Sequence, residues 1–244
     1  MSDAQGLGFA SLAEDYDRGR GGWPPEIHAG IEANTVLDLA AGTGKLTALL
    51  AERYPEVVAV EPLPTMRKIL RERVPKASAL AGTAEAIPLD DESVDAIFVA
   101  EAFHWFDSAA AAQEIQRVLR PSGWLVISFN VPRGWFEPGL SDEAQAVLEH
   151  VTVSARLPPG GLPKVLSGAW RRGLAAFEPL NQIDLDHEWT TDTVGVASYC
   201  VSVSSMGALA DEARVELRRR LVELTPAATH RLRLTARVYR GRRA

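Results

Sequence analysis

The sequence is poor in cysteine and contains no long apolar run. Cys200 is its only cysteine, so neither an internal disulfide nor a cysteine-rich zinc site can form. No apolar stretch approaches the roughly 20 residues that a membrane-spanning helix needs. The opening segment, MSDAQGLGFASLAEDYDRGR, does not join a basic part to an apolar one, as a secretory signal does. These absences predict a cytoplasmic protein without a membrane partner.

Composition excludes a disordered chain, a fibre and a coiled coil. Of the 244 residues, 46% are hydrophobic and 24% are charged, which is close to the globular average. This length exceeds one ordinary domain but falls short of two. We therefore expect a single domain that spans residues 1–244.

The positive charge is concentrated near the end of the sequence. The segment from Val215 to Ala244 contains nine Arg and two Glu and carries +7, whereas the part before Val215 carries −13, for a total of −6. A basic segment raises the question of nucleic acid. However, LRRRL and RLRLTARVYR interleave arginine with apolar residues, which is typical of a solvated helix face and a strand with one wet side. Nucleic acid is not an expected partner.

Short apolar runs alternate with amphipathic helical patterns from Thr35 as far as Val131. Strands that are apolar on both faces and alternate with helices indicate a parallel sheet that helices cover on both sides. Right-handed crossovers make such a sheet doubly wound. The predicted strands are 35–40, 56–61, 77–82, 93–100 and 124–131, and the predicted helices are 45–54, 64–74 and 107–119.

The pattern changes after Val131, where proline and glycine become frequent. Two more strands, 182–189 and 230–240, bring the predicted sheet to seven strands. Helices are expected at 142–155, near Trp170 and at 211–224. We expect a cofactor-binding core of about 34–131, 178–190 and 229–241. The cap segments are then about 1–29, 132–177 and 191–226.

Two carboxylates lie at the ends of successive predicted strands, at the edge where an open parallel sheet binds its ligands. Asp38 lies near the end of the first strand, before a loop of small residues that includes Gly42 and Gly44. Such a loop lets a ligand approach the backbone closely. The second strand ends at Glu61, where a carboxylate can accept both hydroxyls of a ribose. These residues predict an adenosine-type ligand.

The same loop lacks the glycines of a dinucleotide site. The pattern G-x-G-x-x-G matches one glycine of three if it starts at Ala40 and two if it starts at Gly42. A G-x-x-x-x-G-K-[ST] phosphate loop is also absent. Asp38 would repel a pyrophosphate but would suit an ammonium group. The loop therefore favours a ligand with adenosine at one end and a cationic amino acid at the other.

Four motifs in sequence order resemble those of class I S-adenosylmethionine-dependent methyltransferases, and most closely the type 11, small-molecule branch. They are VLDLAAGTGKLT (36–47), VVAVEP (57–62), GTAEAIPLDDESVDAIFVAEAFHWFD (82–107) and RVLRPSGWLVI (117–127). AEDYDRGRGGWPPEI (13–27) resembles the N-terminal cap of that branch. The resemblance implies a Rossmann-like α/β fold with a mostly parallel seven-stranded sheet, an antiparallel last strand and a helical cap. It also implies that S-adenosylmethionine donates a methyl group to a small-molecule acceptor.

The resemblance assigns residues to each part of the cofactor. Asp38 would lie near the methionine amino group, and Ala100 would offer its carbonyl to the same group. Tyr16 and Arg20 would close over the methionine carboxylate, a bidentate task that suits arginine. The loop under the cofactor would consist of Ala40, Gly42 and Gly44. Glu61 would hold the ribose. The adenine would contact Pro62 and Leu63, and its edge would be bounded by Thr83, Ala84 and Glu85.

Ala40 stands where the family more often has glycine. Because alanine is nearly as small, we expect this departure to cost little.

His104 is the candidate catalytic residue, because the resemblance places it just beyond strand four. An imidazole with an ordinary pKa near 6.5 can take a proton at neutral pH. The other four histidines lack metal-ligand spacing, so no metal site is expected. Four aromatic residues of the predicted cap are either substrate wall or core: Trp135, Phe136, Trp170 and Tyr199.

Two other function classes remain open at this point. One is a protein that binds S-adenosylmethionine or S-adenosylhomocysteine without catalysis, and the other is a nucleotide-dependent oxidoreductase with a degenerate loop. The sequence does not identify the acceptor or the oligomeric state.

Overall fold

The computed structural model describes residues 13–157 and 162–244. Parts of two predicted cap segments, 1–12 and 158–161, lie outside the described residues. The described chain contains a seven-stranded sheet with the order β3-β2-β1-β4-β5-β7-β6. The strands are β1 (Thr35–Leu39), β2 (Glu56–Val60), β3 (Ser78–Leu80), β4 (Val94–Ala100), β5 (Leu119–Pro132), β6 (Asn181–Asp192) and β7 (Thr229–Arg242).

Helices connect most of these strands and build a layer beyond the sheet. The α-helices are α1 (Ala13–Arg18), α2 (Lys45–Arg53), α3 (Pro64–Arg73), α4 (Ser108–Val118), α5 (Asp142–Ser154), α6 (Leu162–Ser167), α7 (Thr193–Ser202) and α8 (Asp211–Leu224). Short 3-10 turns occupy Pro25–His28, Phe103–Trp105, Ala169–Arg171, Ala175–Phe177 and Ser204–Ala208.

The sheet confirms the predicted fold class. Strands β1 to β5 pair in parallel, and β7 runs antiparallel to both β5 and β6. Strand order reverses at β1, where Asp38 pairs with Ala59 of β2 on one side and Phe98 of β4 on the other. The connections after β1 and β4 therefore diverge, and their divergence opens a crevice at the carboxyl ends of these strands.

Apolar clusters cover both faces of the sheet. One contains Leu37, Ile97 and Phe129, and the other contains Val36, Leu50 and Phe98. Adjacent residues of β1 and β4 thus belong to opposite clusters, as expected for strands that are buried on both faces.

A third apolar cluster joins α5, α7 and α8 to the ends of β6 and β7. Helix α1 docks on this layer. The Ser198 hydroxyl donates to Asp15 over 2.7 Å, and Arg218 lies 3.2 Å from the same carboxylate. A Cβ atom on Gly19 would lie 2.5 Å from the Ser198 backbone, so glycine permits this close approach. We call α1, α5, α7 and α8 with their connections the cap.

Several elements differ from the sequence predictions: helices α1 and α6 were not predicted, and Trp170 lies in a 3-10 turn. Strand β5 begins at Leu119 rather than near residue 124, because a register shift opposite Val94 and Ala96 lets it continue through the predicted turn. Helix α7 was not predicted, since its VGVASYCV run is apolar throughout and shows no amphipathic period. Within the described chain, no helix is both long and apolar enough to cross a membrane.

The arginines of the basic segment bind within the molecule. Arg240 donates to the carbonyls of Ala29, Glu26 and Ile27, and Arg237 pairs with Asp184 at 3.2 Å. On α8, Arg219 pairs with Glu216 and Glu223. These contacts account for much of the charge concentrated after Val215.

Candidate functional site

A cavity of about 250 Å³ lies at the carboxyl ends of β1 and β4, under the cap. It coincides with the crevice that the reversal of strand order creates. Of the predicted site residues, seven line it: Tyr16, Arg20, Asp38, Ala40, Gly42, Ala100 and His104. The loops after two strands and the segment after α1 thus converge on one space.

The loop after β1 is shaped by left-handed backbone conformations. The φ angles are 59° at Ala40, 58° at Gly42 and 83° at Gly44. A Cβ atom on Gly44 would lie 2.9 Å from the Leu70 side chain, so glycine is required there on two grounds. We expected alanine at position 40 to cost little stability because its side chain is small, but side-chain size is the wrong criterion here. The left-handed backbone at Ala40 strains any residue with a Cβ atom.

Asp38 is a buried carboxylate that faces the cavity. Its side chain is only 1% exposed, and it accepts a hydrogen bond of 2.6 Å from the Thr47 hydroxyl. Burial, with a smaller contribution from the Glu61 charge, raises the pKa of Asp38 to about 7. A cationic ligand group beside Asp38 would favour the ionised form and lower this pKa again.

Glu61 lies behind the loop and does not line the cavity. Its two oxygens accept the backbone N–H groups of Gly42 and Leu63, each over 2.9 Å. Burial raises the pKa of Glu61 above its usual range, against the effect of these two hydrogen bonds. Each carboxylate oxygen can accept more than one hydrogen bond, so ribose binding by Glu61 stays a prediction.

The predicted adenine contacts also lie outside the lining of the cavity. Thr83 forms an isolated bridge with Ala86, Ala84 is buried, and Glu85 accepts the Asp107 N–H over 3.1 Å. The cavity therefore contains the positions assigned to the methionine end of the cofactor. The adenine assignments, which include Pro62 and Leu63, remain predictions.

Arg20 provides a fixed positive charge on the cap side. Its Nη2 donates to the Ser202 carbonyl over 2.8 Å. Its guanidinium lies 5.2 Å from the Tyr16 ring centroid and 5.4 Å from that of Tyr199. Its buried Nε has no hydrogen-bond partner among the described residues. Arg20 is thus held in place, and its Nε–H group is available to donate a hydrogen bond to a ligand.

Asp17 fastens α1 to the loop after β1. Both of its oxygens accept from Arg73, each over 2.7 Å, and the Thr43 hydroxyl donates to it over 2.6 Å. These contacts lower the pKa of Asp17 although its burial opposes them. This network places Tyr16 and Arg20 above the loop.

Glu101 also lines the cavity, and the sequence reasoning missed it. It directly follows β4, and its φ of 57° is left-handed. One carboxylate oxygen, Oε1, accepts the Asn130 N–H over 2.6 Å. Burial raises the pKa of Glu101 to about 7, against this hydrogen bond and the Arg20 charge. Its position at the same sheet edge as Asp38 was the signal that could have identified it.

His104 lines the cavity, but it is a weaker base than we expected. Its ring lies 4.5 Å from the Trp105 centroid and 5.6 Å from that of Phe129. Burial, helped by the positive charge of Lys164, lowers the pKa of His104 to about 4. The expectation of an ordinary pKa is therefore wrong, and the imidazole is neutral at pH 7.

The rest of the lining is largely apolar and comes from distant parts of the chain. Of the four cap aromatics considered from the sequence, Tyr199 alone lines the cavity. Phe136 and Trp170 are buried in apolar clusters, and Trp135 is 43% exposed. Other lining residues were not singled out: Trp23, Trp105, Phe129, Trp189, Leu232 and Leu234. Among the described residues, no group of three or more histidine, cysteine or acidic side chains could hold a metal ion.

Comparison with known proteins agrees with this architecture. The family model for the type 11 methyltransferase domain matches residues 37–127. An uncharacterized methyltransferase of Mycobacterium tuberculosis is 53% identical over 127 residues, 51% of this chain and 52% of that relative. This confirms that residues 37–127 resemble a type 11 methyltransferase domain, as the motifs predicted.

Two further relatives extend the comparison. The malonyl-[acyl-carrier protein] O-methyltransferase of Methylococcus capsulatus is 38% identical over 138 residues, half of each chain. A solved structure from Anaeromyxobacter dehalogenans, assigned to the type II methyltransferases, has a TM-score of 0.61 at 23% identity. It covers 91% of this chain and 97% of its own, and it supports the fold alone. This chain spans about half the length of the curated relatives it matches.

Proposed function

We propose that this protein transfers the methyl group of S-adenosylmethionine to a small-molecule acceptor. The observation that carries the proposal is the presence of a carboxyl group and a guanidinium in one cavity: buried Asp38 on the sheet side and Arg20 on the cap side. An α-amino acid carries an ammonium and a carboxylate, which these two side chains complement. The match of residues 37–127 to the methyltransferase domain model implies S-adenosylmethionine as the cofactor and supports the same assignment.

The residues present fit this cofactor. Asp38 has no cationic partner within the described chain and a pKa of about 7, as expected of a buried carboxylate that awaits a cation. Arg20 keeps a buried Nε without a partner among the same residues. A Cβ atom on Gly42 would project to within 3.8 Å of Met66 and 4.0 Å of Tyr16, into the space over the loop. Asp38 would hold the amino group and Arg20 the carboxylate.

When bound, the sulfonium supplies an already activated methyl group, so the chain's own work is positioning and exclusion of water. The loop after β1 supports the methionine end from below, and Tyr16 and Arg20 cover it from the cap. The apolar lining excludes water from the acceptor. Placement of two reactants in a near-attack geometry can supply roughly 7–11 kcal/mol of barrier reduction.

Binding measurements test the proposal against an oxidoreductase. Calorimetry with S-adenosylmethionine, S-adenosylhomocysteine and NAD should show binding of the first two alone. Binding of NAD in place of both would reject the methyltransferase assignment. Turnover with candidate acceptors then separates an enzyme from a protein that only binds the cofactor.

The ribose assignment has its own test. Glu61→Ala should weaken S-adenosylhomocysteine binding by about 2–3 kcal/mol, because charge-assisted hydrogen bonds to two hydroxyls are lost. Thermal unfolding of the variant shows whether the loop keeps its fold, since Glu61 also accepts the Gly42 and Leu63 N–H groups. A folded variant with unchanged affinity would remove Glu61 from the ribose site.

A further inference from the structure

The lining of the cavity contains more than the proposed cofactor site uses. With the amino-acid end of the cofactor at Asp38 and Arg20, a second set of lining residues remains for the acceptor. We call it the acceptor chamber and define it by Trp23, Glu101, His104, Phe129, Trp189 and Leu234. We propose that the acceptor is a planar apolar molecule whose reactive group is a hydroxyl or an amine, and that Glu101 excludes carboxylate acceptors. This inference rests on the proposed function.

The apolar part of the chamber favours a flat molecule. Three aromatic side chains, those of Trp23, Phe129 and Trp189, line it together with Leu234. Phe129 is 1% exposed and packs against Trp170 and Tyr239, so its ring is held in one position. Rigid aromatic walls contribute most to binding when the ligand presents a planar apolar face.

Each positively charged side chain that lines the cavity already has a partner or is assigned to the cofactor. Arg20 and Lys45 are the only arginine and lysine side chains among the described lining residues. Lys45 lies 3.9 Å from Asp17, and Arg20 is assigned to the cofactor carboxylate. Lys164 is near His104 but lies over the Trp105 ring, 4.2 Å from its centroid, and does not line the cavity. Within the described lining, no cation is therefore left to pair with an acceptor carboxylate.

Both uncommitted polar side chains of the chamber can accept a hydrogen bond. Oε1 of Glu101 is occupied by the Asn130 N–H, whereas no donor from residues 13–157 or 162–244 is found at Oε2. Neither His104 nitrogen forms a hydrogen bond with a described residue, and Nδ1 is buried. The neutral imidazole has one nitrogen that can accept a hydrogen bond. These groups suit an acceptor that brings its own O–H or N–H.

The amide of Asn130, which also lines the cavity, is held by other contacts. Its Oδ1 lies 2.8 Å from Nε2 of His187, and its Nδ2 donates to the Gly22 carbonyl over 3.2 Å. These contacts join β6, β5 and the segment after α1, so they fix the backbone N–H that orients Glu101. Asn130 therefore acts as a positioning residue for the carboxylate.

Exclusion by Glu101 depends on its charge. The groups that act on it are Arg20, which favours the ionised form, and the phenols of Tyr16 and Tyr199, which stay neutral because their pKa values are raised. An ionised Glu101 repels a carboxylate and attracts an ammonium, whereas a protonated Glu101 can donate to a carboxylate. The preference should therefore strengthen as pH rises through the Glu101 pKa of about 7.

The test uses the whole protein saturated with S-adenosylhomocysteine and three probes with the same ring: naphthol, aminomethylnaphthalene and naphthoate. Tryptophan fluorescence reports binding, since Trp23, Trp105 and Trp189 line the cavity. At about pH 8, naphthol and the amine should bind at least about tenfold more tightly than naphthoate, because like charges disfavour the last. At about pH 6, where Glu101 is largely protonated, this difference in affinity should be smaller.

Two variants locate the cause of the preference. Glu101→Gln should reduce the difference at about pH 8 to within about threefold, because the repelling charge is gone while size and shape remain. Glu178→Gln is the matched control, because Glu178 also accepts a backbone N–H, that of Leu180 over 2.9 Å, but lies outside the cavity. It should keep the wild-type preference.

The outcomes separate this inference from the proposed function. Absence of S-adenosylhomocysteine binding overturns the proposed function itself. With that ligand bound, equal or tighter binding of naphthoate by the wild-type protein, or an unchanged preference in Glu101→Gln, overturns the role of Glu101. Failure of all three probes to bind overturns the planar apolar acceptor. If Glu101→Gln does not fold, a wild-type preference that does not change between about pH 6 and about pH 8 still overturns the role of Glu101.

Discussion

The two sides of the cavity are built in different ways. On the sheet side, most of the lining comes from two short segments, 38–46 and 100–105, each of which begins at the end of a strand. The end of β5 adds Phe129, Asn130 and Pro132. On the cap side, the lining comes from residues as far apart as Tyr16, Tyr199 and Ser204. The sheet side depends on backbone conformation, and the cap side depends on side-chain contacts between distant elements.

This difference determines how each side responds to substitution. The sheet side places its ligand groups through left-handed residues, so a change of residue type there acts on the backbone itself. The cap side is held by ion pairs and hydrogen bonds at several points, such as Asp17 with Arg73 and Asp15 with Ser198. Loss of one contact leaves the others, so single changes there should cost less.

The largest effect should come from Gly44→Ala on the sheet side. The left-handed backbone and the 2.9 Å approach to Leu70 act together, and we expect about 3 kcal/mol of lost stability. Gly30→Ala is the matched control, because its φ is 73° but no atom lies within 4 Å of the added Cβ. It should lose about 1–2 kcal/mol. Equal losses in urea unfolding would show that the Leu70 contact does not matter.

Asp38→Asn should stabilise the ligand-free protein but weaken cofactor binding. Because the folded pKa of about 7 exceeds the ordinary value of 3.8 for aspartate, the unfolded chain releases its proton first as pH rises. The free energy of unfolding therefore falls between about pH 4 and about pH 7. Asparagine removes this loss and can still accept from Thr47, so the variant should be more stable by about 2 kcal/mol at pH 8.

The same change should weaken S-adenosylhomocysteine binding by about tenfold, because a charge-assisted contact to the ammonium is lost. Unfolding and calorimetry on one preparation measure both effects. A variant that is less stable than the wild type at pH 8 would contradict the assigned burial of an ionised carboxylate.

On the cap side, Asp17→Asn should cost about 1 kcal/mol, because the half-buried bidentate pair with Arg73 is lost while Thr43 can still donate. Asp192→Asn removes the pair with Arg18, whose partners are 52% and 55% exposed, and asparagine still caps α7. This control should change stability by less than about 0.5 kcal/mol. If Asp17→Asn loses no more stability than Asp192→Asn, Asp17 does not hold α1 against the loop after β1.

The contrast between the two sides also explains what the sequence could predict. The apolar runs and intervening helices predicted all seven strands. Of the two strand-end carboxylates that predicted the ligand edge, Asp38 lines the cavity and Glu61 does not. Helix α7 was missed because tertiary packing, not an amphipathic period, holds it. Glu101 was missed because its role depends on Asn130 of β5 and on Arg20 after α1, and no local pattern in the sequence brings these distant segments together.

The smallest effect, and the most specific for the sheet side, should come from Ala40→Gly. Alanine at a φ of 59° is strained by roughly 1–2 kcal/mol, whereas glycine adopts this conformation freely. Glycine also increases the entropy of the unfolded chain, which offsets about 0.4–1 kcal/mol of the gain. We therefore expect a net stabilisation of about 0.5 kcal/mol. Because Ala40 lines the cavity without a polar side chain, S-adenosylhomocysteine affinity should stay within about twofold of the wild type. Destabilisation in urea unfolding would show that the surrounding loop, rather than alanine, absorbs the strain at this position.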